Sequence, residues 1–362
     1  MKKSLFLVLC SVLFCTTACG AGAPPIVFRG DTLPQNTDFL RRQCGSVSTS
    51  LGLPEISGIA CSRETPGYIW MQSDDYESKI IATDEKGRNM YMKVKFSKTV
   101  RWDWEDMSSG VYNGTNYLFI GAFGDNEETD GNYSIVYLEE PAIGGSTEIT
   151  VSPSVIKFIY PDSLNHNCEA LMYDNIEQRI YIITKVYYNV CQVFYLPFSL
   201  DYGNEVQRLT YVCDLGYRSD LGAGASPYKG FHLVTGADIS PDGKYILIKN
   251  HNNIVAKYSW ILLWKREGEE SVTETLLRQP ESIACYQSEW QGEAICWRDS
   301  TVFYTTSDSD GEPPIYQYVN RNYLALDNVP AEDKSGKLMY MNGVLYIRHK
   351  DGLFTMDGRK VQ

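Results

Sequence analysis

Glu55-Ile-Ser-Gly-Ile-Ala60 opens on a carboxylate, continues through apolar and small residues, and passes by Arg63-Glu-Thr-Pro-Gly67 into a second apolar run, Tyr68-Ile-Trp-Met-Gln72. The phrase returns at Glu105-Asp-Met107, Glu169-Ala-Leu-Met-Tyr173, Asp238-Ile-Ser-Pro-Asp-Gly243 and Glu293-Ala-Ile-Cys-Trp297. Nearly all copies read as an apolar run, a polar or Gly turn and a second apolar run, which is a β-hairpin, the first run of the Glu105 unit being the weakest. The steps between the acids are roughly 50 to 70 residues, the span of one four-stranded propeller blade with its loops. A third strand follows in most units, as in Ser134-Ile-Val-Tyr-Leu138, Gln192-Val-Phe-Tyr-Leu196, Ser259-Trp-Ile-Leu-Leu-Trp264 and Pro314-Ile-Tyr-Gln-Tyr318.

A sixth, incomplete unit runs through Lys337-Leu-Met-Tyr-Met341, Val344-Leu-Tyr-Ile347 and Asp351-Gly-Leu-Phe-Thr-Met356. The stretch near Ile26-Val-Phe28 is available to complete it, and joining both chain ends in one blade removes two sheet edges. The expectation is therefore an all-β protein, a six-bladed β-propeller closed by N- and C-terminal strands. A β-sandwich is the structural alternative, but its strands need not repeat a hairpin with one acid at its start. No long amphipathic helical pattern supports an α/β fold.

The N-terminus has a different organisation. Met1-Lys-Lys3 is a basic start, and Leu5 to Phe14 is an apolar run too short to span a bilayer. Small residues then precede Cys19. The expectation is a signal peptide over residues 1–19 with Cys19 lipidated; cleavage after Ala21-Gly-Ala23 is the alternative. Residues 20–50 read as tether and closing strand, and 51–362 as one propeller domain. This places the chain in a bacterial cell envelope (periplasm or outer membrane) or makes it secreted, touching membrane only through the lipid, and monomeric.

The formal net charge is −12, which argues against nucleic acid as a partner because phosphates require a basic face. Seven cysteines follow Cys19: Cys44, Cys61, Cys168, Cys191, Cys213, Cys285 and Cys296. No C-x-x-C occurs, and most lie in apolar runs, where cysteine behaves as a small hydrophobe. In an oxidising compartment one or two disulfides are open among them, with no pairing indicated. No G-x-S-x-G, H-E-x-x-H or phosphate-binding loop is present.

In a propeller the innermost strand of each blade lines the channel, and the second strand returns beside it. Strand-one starts and strand-two ends therefore share one face. That logic gathers Glu55, Glu105, Glu169, Asp238 and Glu293 at a channel mouth, as candidate metal ligands. Asp75, Asp125, Asn126, Lys185, Lys249 and Arg348 form an outer ring of candidate ligand-binding residues. Carboxylates gathered this way must be protonated, paired with a cationic side chain or bound to a cation. Calcium, with its six to eight oxygen ligands, is the expected cofactor. The competing structural reading has these acids accept backbone N–H bonds and tie blades together. Asp174, Asp242 and Asp299 read as turn residues.

Taken together, Pro54-Glu-Ile-Ser-Gly-Ile-Ala60, Asp103-Trp-Glu-Asp-Met107, Gly124-Asp-Asn126, Cys168-Glu-Ala-Leu171, Thr235-Gly-Ala-Asp-Ile-Ser-Pro-Asp-Gly243 and Gln291-Gly-Glu-Ala-Ile295 resemble a largely uncharacterised family of secreted or lipid-anchored bacterial six-bladed propellers. The resemblance covers roughly residues 50 to 320 and departs after Trp70, where relatives carry His-Asn-Asp-Ser-Gly-Asp and this chain reads Met71-Gln-Ser-Asp-Asp-Tyr-Glu77. More distantly the chain is similar to calcium-dependent lactonase and esterase propellers and to esterase-like phytases. The resemblance implies a channel-mouth calcium carried by Glu55, Glu105, Glu169, Asp238 and Glu293. Three functions follow as expectations: binding of a small polar ligand or carbohydrate at the mouth; calcium-dependent hydrolysis of an ester, lactone or phosphate ester with Glu105 and Glu169 catalytic; or a scaffold using the outer surface.

Overall fold

The computed structural model describes residues 26–74, 78–98, 103–185, 190–215, 232–252, 259–284, 289, 291–309, 311–324, 337–341, 344–349, 352–355 and 360–361. The leader and Cys19, expected as the lipid site, lie outside these residues, as do Asp75 and Cys285.

Blade 1 runs outward from the channel through Ile56–Cys61, Tyr68–Ser73, Lys79–Asp84 and Met92–Phe96. Blade 2 comprises Trp104–Tyr112, Thr115–Ala122, Tyr133–Glu139 and Ser154–Ile159. Blade 3 comprises Cys168–Asp174, Arg179–Thr184, Gln192–Pro197 and Thr210–Asp214. Blade 4 comprises His232–Ile239, Tyr245–Asn252, Ser259–Lys265 and Glu281–Ala284, and blade 5 comprises Ile295–Asp299, Val302–Thr305, Pro314–Asn320 and the N-terminal Phe39–Ser46. Within each of these four-strand sets all pairings are antiparallel. The hairpin turns follow local chemistry: Asn113 and Gly114 both hold positive φ (50° and 81°), as a two-residue type I′ turn requires.

Alternating apolar residues on each strand bury both sheet faces, so the core lies between blades rather than inside one sandwich. Five apolar clusters fill five seams. Trp70 and Ala60 meet Met107 and Leu118 between blades 1 and 2. Phe119 meets Leu171 and Tyr173 between blades 2 and 3. Met172 and Ile183 meet Val234 and Ile246 between blades 3 and 4. Leu247 and Ile261 meet Ile295 and Trp297 between blades 4 and 5. Ile59 and Met71 meet Ala294 and Tyr304 between blades 5 and 1.

The protein is thus an all-β β-propeller, and it has five blades rather than the six expected. The last innermost strand, Ile295–Asp299, packs directly on the first, Ile56–Cys61, so no sector is open for another blade. Lys337–Met341, Val344–His349 and Gly352–Thr355 do form the expected hairpins, but as a separate three-stranded sheet. Closure comes from the N-terminal side alone: Phe39–Ser46 is the outermost strand of blade 5, paired with Pro314–Asn320. The earlier segment at Ile26 does not close the ring; Val27–Phe28 pairs with Asp31–Thr32, and Phe28 packs edge-on against Trp264 of blade 4. Two short parallel strands, Glu148–Val151 and Gln207–Arg208, cover the outer edges of blades 1 and 2.

Candidate functional site

Four innermost strands carry a register break at the same point, between Ile56 and Gly58, Trp104 and Met107, Cys168 and Ala170, and Val234 and Gly236. A bulge bends the strand and re-aims the extra side chain. Aligned on this break, the equivalent triplets are Ser57-Gly58-Ile59, Glu105-Asp106-Met107, Glu169-Ala170-Leu171, Thr235-Gly236-Ala237 and, by its pairing register, Glu293-Ala294-Ile295. The repeat is a polar residue, a small one in four of the five blades (Asp106 stands there in blade 2) and an apolar one. The small position abuts the next blade: a Cβ on Gly58 would stand 2.7 Å from the Met107 backbone nitrogen, and one on Gly236 2.6 Å from the Glu293 carbonyl oxygen.

The mouth ring is therefore Ser57, Glu105, Glu169, Thr235 and Glu293. The two hydroxyls are consumed in holding neighbours: Ser57 Oγ donates to the Glu105 carbonyl, and Thr235 Oγ1 donates to the Gly292 carbonyl at 2.8 Å. Three glutamates remain, all buried. At their centre stands Lys185, at the return-strand end of blade 3, with Nζ 3.0 Å from Glu169 Oε1. Burial alone would pull its ammonium down, but Glu169, Glu293 and Glu105 outweigh it and hold Lys185 above the ordinary lysine range. Asn167 Nδ2 donates to Glu169 Oε1 (3.2 Å) and to Asn126 Oδ1 (3.1 Å), steadying the rim.

One lysine does not neutralise this cluster. Burial, reinforced by Glu169 and opposed by Lys185, raises Glu105 well above the carboxylate range, and its carboxyl is hydrogen-bonded with Glu169. Glu293 is raised to about 8, by burial first and by Glu169, Asp308 and Asp74 against the pull of Lys185. Asp74, at the return-strand end of blade 1, is raised to about 7 by burial, then Glu55, Asp308, Glu169 and Asp103. His251 is lowered to about 3, by burial and then by Lys185 and Lys249, and so is neutral. Among the described residues Asp74 Oδ1, Glu293 Oε2 and His251 Nδ1 are buried with no hydrogen-bond partner, His251 Nδ1 standing 3.5 Å from Glu293 Oε1. Gly124 leaves room for the cluster, since a Cβ there would lie 2.0 Å from Glu105 Oε1.

The other expected residues lie elsewhere or act differently. Glu55 is exposed, holds φ at 49° and precedes the ring position by two residues. Asp238 is not at a strand start; it is the seventh residue of His232–Ile239 and accepts from Ser108 Oγ at 3.0 Å and the Trp297 backbone N–H at 2.7 Å. It ties blades 2, 4 and 5. Lys249 is fully buried and ion-paired with Glu289, which Arg41, Tyr318 and Thr305 also hold. Asp125 accepts from the Thr129, Asp130 and Gly131 backbone and from Tyr133 Oη; these donors outweigh burial and hold it below the carboxylate range. Arg348 lies exposed in the separate C-terminal sheet. Asp174, Asp242 and Asp299 do cap their turns, and Asp174 also pairs with buried Arg266 at 2.9 Å.

Asp106 was not expected. It is fully buried and accepts from the backbone N–H groups of Met107, Leu171 and Ala237 at 2.8, 2.9 and 3.0 Å, binding three blades at the channel. As a metal centre the mouth fits poorly. Among the described residues no group of three or more His, Cys, Asp or Glu side chains is arranged to hold an ion, and the place between the glutamates belongs to the Lys185 ammonium.

No family model matches the chain, and no curated protein matches it. Solved structures similar to it include a gluconolactonase from Xanthomonas campestris (9% identity, 82% of this chain and 97% of that one, TM-score 0.42). A 6-phosphogluconolactonase candidate from Bacteroides uniformis follows at 10% identity, 84% and 81% coverage and TM-score 0.33. The Swd1-type β-propeller domain of Cps50 from Myceliophteria thermophila matches at 12% identity, 72% and 83% coverage and TM-score 0.34. At such values none of them bears on chemistry.

Proposed function

We propose that the protein is a ligand-binding propeller whose mouth takes a small polar molecule rich in hydrogen-bond donors, such as a carbohydrate hydroxyl cluster or an ammonium group. The observation that carries this reading is the set of buried polar atoms at the mouth that lack a hydrogen-bond partner among the described residues, Asp74 Oδ1, Glu293 Oε2 and His251 Nδ1, the last 3.5 Å from Glu293 Oε1. Leaving such atoms unsatisfied costs about 1–3 kcal/mol each, which a donor-bearing ligand or water recovers. Excess carboxyl over ammonium in the cluster points the same way. The test is a thermal-shift and calorimetric panel of neutral sugars, amino sugars, polyols and simple amines, run with and without calcium. Hits on the wild type should weaken at least tenfold in Glu169→Gln/Glu293→Gln. Undiminished binding by that double variant would defeat the reading. A calcium titration giving a stoichiometric site would reinstate the metal.

A second reading rests on Glu105. A buried carboxyl raised well above the ordinary range and hydrogen-bonded with Glu169, which itself pairs with Lys185, sets two carboxyl groups side by side for acid and base roles. In hydrolysis of an ester, lactone or phosphate ester, Glu105 would protonate the leaving oxygen, Glu169 would take a proton from water, and Lys185 would stabilise developing negative charge. Turnover that survives both Glu105→Gln and Glu169→Gln removes this reading and leaves the binding one standing.

A further inference from the structure

Ring closure in this propeller has one covalent gap. The first and last blades are joined on the outside by the ladder between Phe39–Ser46 and Pro314–Asn320. On the channel side, Ile56–Cys61 and Ile295–Asp299 are neighbours with no strand pairing between them. Arg63 spans the same seam, donating from its guanidinium to the carbonyls of Trp297 and Arg298 at 3.0 and 2.8 Å.

Cys61 ends the first of these strands and Cys296 is the second residue of the other. Their sulfurs lie 3.4 Å apart across 235 residues of sequence. Both are buried, 3% and 1% exposed, in the apolar cluster that joins blades 5 and 1. Among the described residues the cation that acts on Cys296 is Arg63, and burial pushes the Cys296 thiol well above its ordinary range. A nucleophile or metal ligand needs an accessible thiolate, so this pair is neither. Cys44 and Cys168, by contrast, direct their thiols to backbone carbonyls.

We propose that Cys61 and Cys296 are a cross-link site at which a disulfide covalently closes the ring between its first and last blades. The sulfurs need to approach by about 1.4 Å to reach the bonding distance of about 2.05 Å. The chemistry is exchange with a low-molecular-weight or protein disulfide. One cysteine thiolate attacks that disulfide and releases one thiol; the second cysteine attacks the mixed disulfide and releases the other. The two cysteines are oxidised by two electrons, the reagent disulfide is reduced, and the two protons leave on its two thiols. Because the seam buries both sulfurs, the exchange belongs to folding, before blade 5 docks on blade 1. Once formed, the bond is shielded from reductant.

The test uses the full mature chain refolded in oxidised and reduced glutathione, alkylated under denaturing conditions and mapped without reduction. The expected species joins the Cys61 and Cys296 peptides, two hydrogens lighter than their sum. The oxidised protein should also unfold at higher urea than the reduced protein, and that difference should vanish in Cys61→Ala/Cys296→Ala. Full alkylation of both cysteines after oxidative refolding overturns the proposal. So does a cross-link of either one to another cysteine, or an oxidation-dependent shift that persists in the double variant.

Discussion

Glu293 offers the sharpest prediction because its placement opposes stability. Buried against Glu169, Asp308 and Asp74, it keeps its proton to about pH 8, whereas an exposed glutamate loses it near 4.5. The unfolded chain therefore releases this proton first, and each pH unit across the interval favours unfolding by about 1.4 kcal/mol. Below 4.5 both states are protonated and the residue costs nothing; from there to about 8 the stability lost reaches about 5 kcal/mol. Glu293→Gln keeps the shape and removes the titration. Urea unfolding of wild type and variant at several pH values between 5 and 8 measures the effect. The two should be close at pH 5, and the variant should become the more stable by several kcal/mol at pH 8 while binding donor-rich ligands less well. Parallel pH profiles would refute the picture of a crowded carboxyl cluster.

Two further outcomes test the architecture. Asp106→Ala removes the acceptor for three buried N–H groups on Met107, Leu171 and Ala237, and should destabilise the protein by about 3 kcal/mol or more in urea titration; a loss within about 0.5 kcal/mol would show that the three donors find other partners. Truncation after Leu324 should leave a cooperatively folded ring, by circular dichroism and thermal melting, because Phe39–Ser46 already completes blade 5, whereas deleting residues 26–46 should abolish the transition.

The propeller was legible because hairpins repeat locally, and local pattern is what a sequence carries. The number of blades was not, since Lys337–Met341 and Val344–His349 have the same hairpin signature as the units inside the ring. What excludes them is the packing of Ile295–Asp299 on Ile56–Cys61, a contact between residues more than two hundred positions apart. The mouth was legible in part for a related reason. Using a carboxylate as the repeat marker found Glu105, Glu169 and Glu293 but slid the register at Glu55 and Asp238. The true equivalents there are Ser57 and Thr235, recognisable only once the glycine after each, Gly58 and Gly236, is taken as the mark of close approach by the next blade. That small residue is fixed by close approach of the next blade, and the polar residue before it is then free to be hydroxyl or acid. Where it is hydroxyl, it ties the blade to its neighbour; where it is acid, at Glu105, Glu169 and Glu293, it is gathered around Lys185. Lys185 and Lys249 show the same limit among cations. Both follow apolar runs of return strands, yet Lys249 is taken by Glu289, which reaches it from the segment leading into blade 5, whereas Lys185 faces the three glutamates. The ring thus divides its repeated positions between hydroxyls that tie neighbouring blades and glutamates that gather around Lys185, and the asymmetry of the mouth comes from which blades carry the acid.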